Sequence, residues 1–179
     1  ILNSKNKNEK ILKWEEAVKM PWGILLLYGG GMSLAKAFES SGLAIWIGNQ
    51  LNALGSLDLI VLLILLVAAI NFLTEVTSNL ATTAMLLPVL APIALEFDLH
   101  PFVLMTAAAI AASCAFMLPV ATPPNAVVFG SGYLRIPDMV RKGFFLNLIS
   151  IFTIVLMVYF LLPILWDLIP DEFPKELLN

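Results

Sequence analysis

Positive charge is absent from most of this chain. No Lys or Arg occurs in residues 42–134, and only 13% of the 179 residues are charged. Soluble globular domains contain about 25% charged residues, so this composition excludes the solvated surface of a soluble enzyme. It also excludes a nucleic-acid partner, because phosphate binding requires clusters of Lys and Arg.

Nucleophiles and metal ligands are equally scarce. The chain has one cysteine, Cys114, and one histidine, His100. A lone cysteine forms no disulfide within the chain, and the small apolar residues around it indicate a buried, unreactive thiol. With one thiol and one imidazole far apart, the sequence contains no nucleophile–base pair and no cluster of metal ligands. We therefore do not expect an enzyme.

Apolar residues dominate instead. They make up 60% of the sequence, and the mean hydropathy is +0.92, which indicates an all-α polytopic membrane protein. There is no initiator methionine and no signal-peptide pattern, because the Lys- and Asn-rich start continues into an apolar helix without a cleavage site. We expect a piece of a longer integral membrane protein, surrounded by lipid in the cell membrane (inner or plasma).

Charges and apolar runs divide the chain into three parts. Residues 1–19 form a basic cytoplasmic linker, residues 20–166 form the membrane region, and residues 167–179 form an acidic tail. Basic residues precede the first and last long helices, which predicts an N-terminus in the cytoplasm and a C-terminus outside. The membrane region is predicted to contain helix 21–40, an interfacial helix 43–54, a hairpin 57–95, a broken helix 101–132 and helix 144–166.

Polar residues interrupt the hairpin segment. Residues 74–80, Thr-Glu-Val-Thr-Ser-Asn-Leu, separate the apolar stretches 57–73 and 81–95, each shorter than the ~20 residues that a spanning helix needs. Non-helical backbone at membrane depth is tolerated only where it is buried in protein or lines a watery cavity. We therefore expect a re-entrant hairpin. Two full crossings have the same parity, but the lack of Lys and Arg near Glu75 favours a buried tip.

A second break occurs at residues 119–125, Pro-Val-Ala-Thr-Pro-Pro-Asn. Ala121 and Thr122 are predicted to end one helix, the prolines prevent its continuation, and a new helix begins at 125–127. Carbonyls at a helix end suit a cation, whereas N–H groups at a helix start suit an anion. Two breaks predict a transporter with an all-oxygen cation site beside an anion pocket. The alternative is that these Ser, Thr and Asn residues only cap or join helices.

Three further polar residues lie in apolar surroundings. Glu75 is interpreted either as a carrier of protons or cations, or as an acid that faces water or pairs with a backbone group. Asn71 and Asn147 lie on otherwise apolar faces, which favours hydrogen bonds between helices over ligand binding.

Four strings of this sequence are long or unusual enough to compare with a family. They lie at residues 22–31 (WGILLLYGGG), 73–79 (LTEVTSN), 113–130 (SCAFMLPVATPPNAVVFG) and 146–147 (LN). Together they resemble the divalent anion:sodium symporter family of di- and tricarboxylate transporters, over nearly all of residues 22–166. The resemblance implies two inverted-topology halves, each with a re-entrant hairpin that carries a Ser-Asn-Thr tip and with a broken helix. Residues 20–166 resemble the C-terminal transmembrane repeat.

The resemblance also implies ligand contacts in both breaks. The implied contacts to a substrate carboxylate are Ser78, Asn79, Thr122 and Pro123. The implied Na+ ligands are oxygens of Thr74, Thr77, Asn79 and Ala121. Leu80, also among the substrate-site residues, stands where the family usually has Thr. The missing hydroxyl removes a hydrogen bond to the anion, worth about 1.5–3 kcal/mol with a charged partner, and bears on substrate preference and sodium coupling.

By this resemblance, the whole transporter carries small C4/C5 dicarboxylates by Na+-coupled secondary active transport. It works by an elevator mechanism, as a homodimer whose transport domain slides against a scaffold, and the missing N-terminal half supplies the remaining contacts. Two alternatives stay open. One is a sodium-independent dicarboxylate exchanger, and the other is a non-transporting membrane scaffold or receptor that binds ligand without flux.

Overall fold

A computed structural model describes residues 14–19, 22–43, 45–46 and 58–174. All regular structure in these ranges is helical, as the composition predicts. Most of the basic linker and of the predicted interfacial helix 43–54 lies outside the described residues. The helices are α1 (Trp14–Ala17), α2 (Trp22–Ser41), α3 (Leu59–Thr74), α4 (Asn79–Glu96), α5 (Pro101–Ala112), α6 (Pro123–Gly130), α7 (Ile136–Leu156) and α8 (Leu162–Trp166), with a π-helical turn (Met157–Leu161) between the last two.

The short helix α5 lies at the centre of the packed helices. Helices α3 and α4 both pack against α5 and make few contacts with each other, while α2 packs on α4 and α7 packs on α3. The buried residues of α5 include Ala107, Ala108, Ala111 and Ala112. Because small side chains let helix axes approach closely, both arms of the predicted hairpin can lie against the same helix.

The predicted interruption between the hairpin arms is present. Helix α3 ends at Thr74, residues 75–78 are not helical, and α4 begins at Asn79. With 16 residues, α3 is about 24 Å long, which is shorter than a hydrocarbon core of about 30 Å. Within the described residues, two helices are long and apolar enough to cross a membrane, namely α4 and the continuous helix Ile136–Trp166.

The second break is longer than predicted and begins earlier. The helix expected to continue to the break at residues 119–125 ends at Ala112, and residues 113–122 are not helical. Helix α6 begins at Pro123 rather than at residue 125. The prolines start this helix instead of preceding it, because Pro123 and Pro124 occupy the first turn, where no N–H is needed for a helical hydrogen bond.

The early end of α5 has a cause that is distant in the sequence. The backbone N–H groups of Phe116, Met117 and Leu118 donate to the carboxylate of Glu75. They are therefore not available to donate to the carbonyls of residues 112–114, as a continuation of α5 would require. Residues 113–118 contain no Pro or Gly that would end a helix locally, so the end of α5 is set by this tertiary contact.

The last long helix also begins earlier than predicted. Helix α7 starts at Ile136 rather than at Phe144, so the basic residues between them lie on the helix and not in a connection. Pro137 lies in the first turn, where proline is tolerated. Asp138 lies near the positive end of the helix dipole and accepts a hydrogen bond from Arg135 at 3.1 Å. These contacts explain why a charged segment is helical.

The continuous helix Ile136–Trp166 contains one irregular turn. In the π-helical turn Met157–Leu161, the N–H of Leu162 donates to the carbonyl of Met157. Pro163 follows directly and has no N–H to donate to the carbonyl four residues before it. The wider turn is the local adjustment to this missing donor, and the helix ends at Trp166.

Candidate substrate and cation site

The two helix breaks meet at one open cavity of about 800 Å³. Its walls come from the hairpin tip, defined here as residues 75–80, and from the second break together with the first turn of α6. Residues far apart in the sequence therefore face a common space. Each of the five implied substrate-site residues lines it: Ser78, Asn79, Leu80, Thr122 and Pro123.

Both helices that start at the cavity have long capping contacts. Ser78 precedes α4, and its Oγ accepts from the N–H of Ala81 at 3.5 Å. Thr122 precedes α6, and its Oγ1 accepts from the N–H of Asn125 at 3.4 Å. Ordinary N–H···O distances are about 2.7–3.2 Å, so these hydroxyls satisfy the N–H groups only weakly. Two helix N-termini with weakly held N–H groups suit an anion such as a carboxylate.

Three oxygens meet where α3 ends, α4 begins and α5 ends. The Oγ1 of Thr74 lies 2.7 Å from Oδ1 of Asn79 and 2.8 Å from the carbonyl oxygen of Ala112. The hydroxyl has one proton and can donate to only one of these acceptors at a time. Carbonyls at helix ends and side-chain oxygens of this kind coordinate Na+ in transporters.

The other implied cation ligands are placed differently. Thr77, Asn79 and Ala121 line the cavity, whereas Thr74 is fully buried and does not. The hydroxyl of Thr77 donates to a carbonyl of α3 and lies 2.7 Å from the hydroxyl of Thr82. In the part of the chain that the structure describes, no group of three or more His, Cys, Asp and Glu could hold a metal ion. The available ligands are thus hydroxyl, amide and carbonyl oxygens.

Glu75 belongs to the hairpin tip but is only 4% exposed. Its carboxylate accepts from the N–H groups of Phe116 at 2.7 Å, Met117 at 2.9 Å and Leu118 at 3.1 Å. It also accepts from Nδ2 of Asn147 at 2.9 Å. Of the interpretations left open by the sequence, the structure shows pairing with backbone groups. The only sequence signal for these partners is an acid in apolar surroundings without a cation, which must find other donors.

Asn71 and Asn147 join helices, and this prediction is confirmed. Nδ2 of Asn71 donates to the carbonyl of Cys114 at 2.9 Å and to Oγ of Ser150 at 3.0 Å. Oγ of Ser150 in turn donates to the carbonyl of Asn147 at 2.8 Å. Both asparagines are fully buried, and among the described residues their Oδ1 atoms have no hydrogen-bond partner. Asn71 thus attaches α3 to the second break and to α7, and Asn147 attaches α7 to Glu75.

Asn125 has a role that the sequence does not reveal. Its Nδ2 donates to the carbonyls of Ala115 and Leu118, both at 3.0 Å. The side chain therefore closes the second break on itself while lining the cavity. An Asn in the first turn of a helix is equally typical of capping, so the sequence alone gives no indication of this closure.

A family model described as "Sodium:sulfate symporter transmembrane region" matches residues 2–167. The chain belongs to this family. Membership confirms the resemblance to the divalent anion:sodium symporters, and it identifies an integral membrane protein from a family of transporters rather than of enzymes.

Similar proteins include the "Sodium-dependent dicarboxylate transporter SdcS" of Staphylococcus saprophyticus, which is 49% identical over 160 residues. These residues are 89% of this chain and 31% of the relative. Proteins of the same name from Staphylococcus aureus strains MRSA252 and USA300 are 49% identical over 166 residues, 92% of this chain and 32% of each relative. The chain thus spans about a third of the length of these curated relatives.

Proposed function

We propose that this chain is the C-terminal half of a secondary active transporter that carries small C4/C5 dicarboxylates together with Na+. The observation that carries the proposal is the single cavity at which both helix breaks meet. Relatives that are 49% identical are named sodium-dependent dicarboxylate transporters, which supports both the substrate class and the coupling ion.

One substrate carboxylate binds at the starts of α4 and α6. The hydroxyls of Ser78 and Thr122, the amide of Asn79 and the nearby backbone N–H groups attract it, because both helix dipoles present their positive ends there. Pro123 borders the same space. Leu80 is 53% exposed and contributes an apolar wall. The other half of the transporter binds the second carboxylate.

The neutral lining gives a physical reason for coupling to a cation. No charged side chain lines the cavity in the described part of the chain. A dicarboxylate that enters such a site loses hydration without meeting a fixed positive charge, which is unfavourable. A bound Na+ beside the carboxylate supplies the missing charge, and both ions can still leave together.

The cation binds to oxygens of Thr74, Thr77, Asn79 and Ala121. Asn79 is common to both ligands, because an amide can offer its oxygen to a cation and its NH2 group to a carboxylate. Without a cation, the Thr74 hydroxyl holds Oδ1 of Asn79 at 2.7 Å. A Na+ at this oxygen orients the amide, so the two binding events favour each other.

The arrangement in the membrane follows from the charges and the helix lengths. Linker 1–19 lies in the cytoplasm, hairpin 57–95 enters and leaves from the outside, and tail 167–179 lies outside. The assembled protein is a homodimer in which this region moves relative to a scaffold in an elevator mechanism.

Uptake of labelled succinate by proteoliposomes that contain the full-length protein tests this function. Symport predicts uptake that requires an inward Na+ gradient and does not depend on dicarboxylate inside the vesicles. Uptake that instead requires internal dicarboxylate and ignores Na+ indicates the exchanger. Binding of succinate without uptake in either condition indicates the non-transporting receptor.

A further inference from the structure

Glu75 connects the hairpin tip to the second break through a carboxylate whose two oxygens both accept hydrogen bonds. Five N–H···O contacts reach its two oxygens, four from the backbone at residues 116–118 and one from Asn147. An ionised carboxylate offers about four lone-pair sites. All of its hydrogen-bonding capacity is therefore used by donors of this chain, and none is left to coordinate a cation.

The carbonyls of the second break are held by side chains as well. This segment has no helical hydrogen bonds of its own, yet buried backbone groups need partners. Side chains from α3 and α6 supply them: Asn71 donates to Cys114, and Asn125 donates to Ala115 and Leu118. The conformation of the break is thus set by residues outside it.

Helix α7 provides a surface against which the break lies. A Cβ atom added to Gly143 would overlap the carbonyl oxygen of Phe116 and would come within 2.6 Å of Cα of Met117. Gly143 and Asn147 are four residues apart and share one face of α7. The absent side chain at Gly143 lets the backbone of the break approach α7 at the height where Asn147 bonds Glu75.

We infer that Glu75, Gly143 and Asn147 act together as positioning residues for the second break, and that Glu75 is not a proton or cation carrier. Glu75 accepts from the N–H groups of residues 116–118, and Asn147 donates to Glu75. Gly143 leaves the space that the backbone of the break occupies. The second break contains Ala121 and Thr122, so its position sets the geometry of the proposed cation and substrate sites. This inference rests on the proposed function for its transport consequences but not for its structural ones.

Cys114 provides a reporter that does not depend on transport. It lies in the second break, is half-buried, and its carbonyl accepts from Asn71. In the full-length protein, the rate of its reaction with N-ethylmaleimide is followed by peptide mass spectrometry, which separates it from any other cysteine. We expect Glu75→Gln and Gly143→Ala to raise this rate about tenfold, because each removes or displaces buried partners of the break.

The matched control is Gly130→Ala, at a helical glycine where an added Cβ meets nothing within 4 Å. It should leave the labelling rate of Cys114 unchanged. Gly143→Ala keeps every hydrogen-bonding group, so it tests the positioning even if Glu75→Gln does not yield folded protein. Unchanged Cys114 reactivity in Gly143→Ala would overturn the inference.

Transport measurements separate positioning from ion carrying. A positioning role predicts that Glu75→Gln and Gly143→Ala both raise the concentrations of succinate and of Na+ that give half-maximal uptake. The charge moved per succinate should not change. A drop of one charge per succinate in Glu75→Gln alone would overturn it in favour of a carrier. If the protein carries no dicarboxylate, the proposed function fails, whereas the labelling result still decides the position of the break.

Discussion

Asn79 is the residue on which the two proposed ligands depend together. Its side chain lines the cavity and contacts Thr74, and its carbonyl accepts from the hydroxyl of Thr83 at 2.8 Å. The backbone is therefore fixed at the start of α4 while the amide remains at the cavity. Asn79 is the only side-chain amide in the hairpin tip, so its acceptor oxygen and its donor NH2 group are separate atoms that can serve two ligands at once.

We predict that Asn79→Ala abolishes Na+-dependent succinate uptake in proteoliposomes while the protein stays folded, because both ligands lose a contact at once. Thr153→Ala is the control, since its hydroxyl is exposed on α7 and bonds only a carbonyl of its own helix. The protein should remain monodisperse in detergent. Near-normal uptake by Asn79→Ala would contradict the site assignment.

Leu80 stands where the resemblance implies a Thr. It is 53% exposed and lines the cavity, so replacing it removes little packing. We predict that Leu80→Thr adds a donor to the carboxylate and tightens substrate binding by up to about tenfold, equivalent to 1.4 kcal/mol. The measurement is the concentration of succinate, malate or 2-oxoglutarate that gives half-maximal uptake by the parent protein and by Leu80→Thr, with and without Na+.

Leu80→Val separates the hydroxyl from the change of shape, because Val and Thr have similar volumes and only Thr can donate a hydrogen bond. Val should therefore not reproduce the gain. If neither variant changes any affinity or its dependence on Na+, Leu80 does not contact the substrate and the register of the hairpin tip must be different.

At the scale of helices, the first break could be predicted and the extent of the second could not. Five of the seven residues 74–80 are polar and they lie between apolar stretches, which is a local signal. Residues 113–118 are mostly apolar and contain no Pro or Gly, so nothing local ends the helix there. Their true partner, Glu75, lies about forty residues earlier in the chain. Glu75 is therefore visible in the sequence, but its contact with the backbone of residues 116–118 is not.

The re-entrant course of α3 and α4 remains a prediction that cysteine labelling can test. Val76 at the tip is 71% exposed and lines the cavity. In a re-entrant hairpin, Val76→Cys should react with an impermeant thiol reagent only through the cavity, and Na+ with succinate should slow the reaction. Lys19→Cys, in the cytoplasmic linker, is the control that no ligand should protect.

Two full crossings predict a different outcome. In that topology, Val76→Cys lies in a cytoplasmic loop and reacts from the cytoplasmic side at the same rate whether or not ligands are present. The short length of α3, about 24 Å for its 16 residues, favours the re-entrant course for this arm, whereas α4 is long enough for either course.

At the scale of the molecule, the described surfaces need a partner or lipid. Helix α6 has no buried residue, although Val127 and Val128 are 75% and 50% exposed, and Tyr133 just beyond it is 92% exposed. Hydrophobic periodicity predicts that a helix exists but not what covers it. A helix that begins at the cavity and is otherwise uncovered is consistent with a site completed by the other half of the transporter.

The orientation of the whole chain is the last prediction, and it rests on charge. Basic residues before α2 and near the start of α7 favour the cytoplasm for both helix starts. One crossing by α2, one return by the broken helix and one crossing by α7 then place the two described ends on opposite sides. Lys19 and Asp171 are exposed near these ends, so Lys19→Cys and Asp171→Cys can report the side of each.

In intact cells, Asp171→Cys should react with an impermeant maleimide, whereas Lys19→Cys should react only after the membrane is permeabilised. The parent protein gives the background from Cys114. A re-entrant hairpin and two full crossings predict the same result. The experiment therefore tests only whether α2, the broken helix and α7 together cross the membrane an odd number of times. If both positions react from the same side, one of the three proposed crossings is absent. The broken helix is then the first to reconsider, because α5 has only 12 residues, about 18 Å, and needs the second break and α6 to complete its crossing.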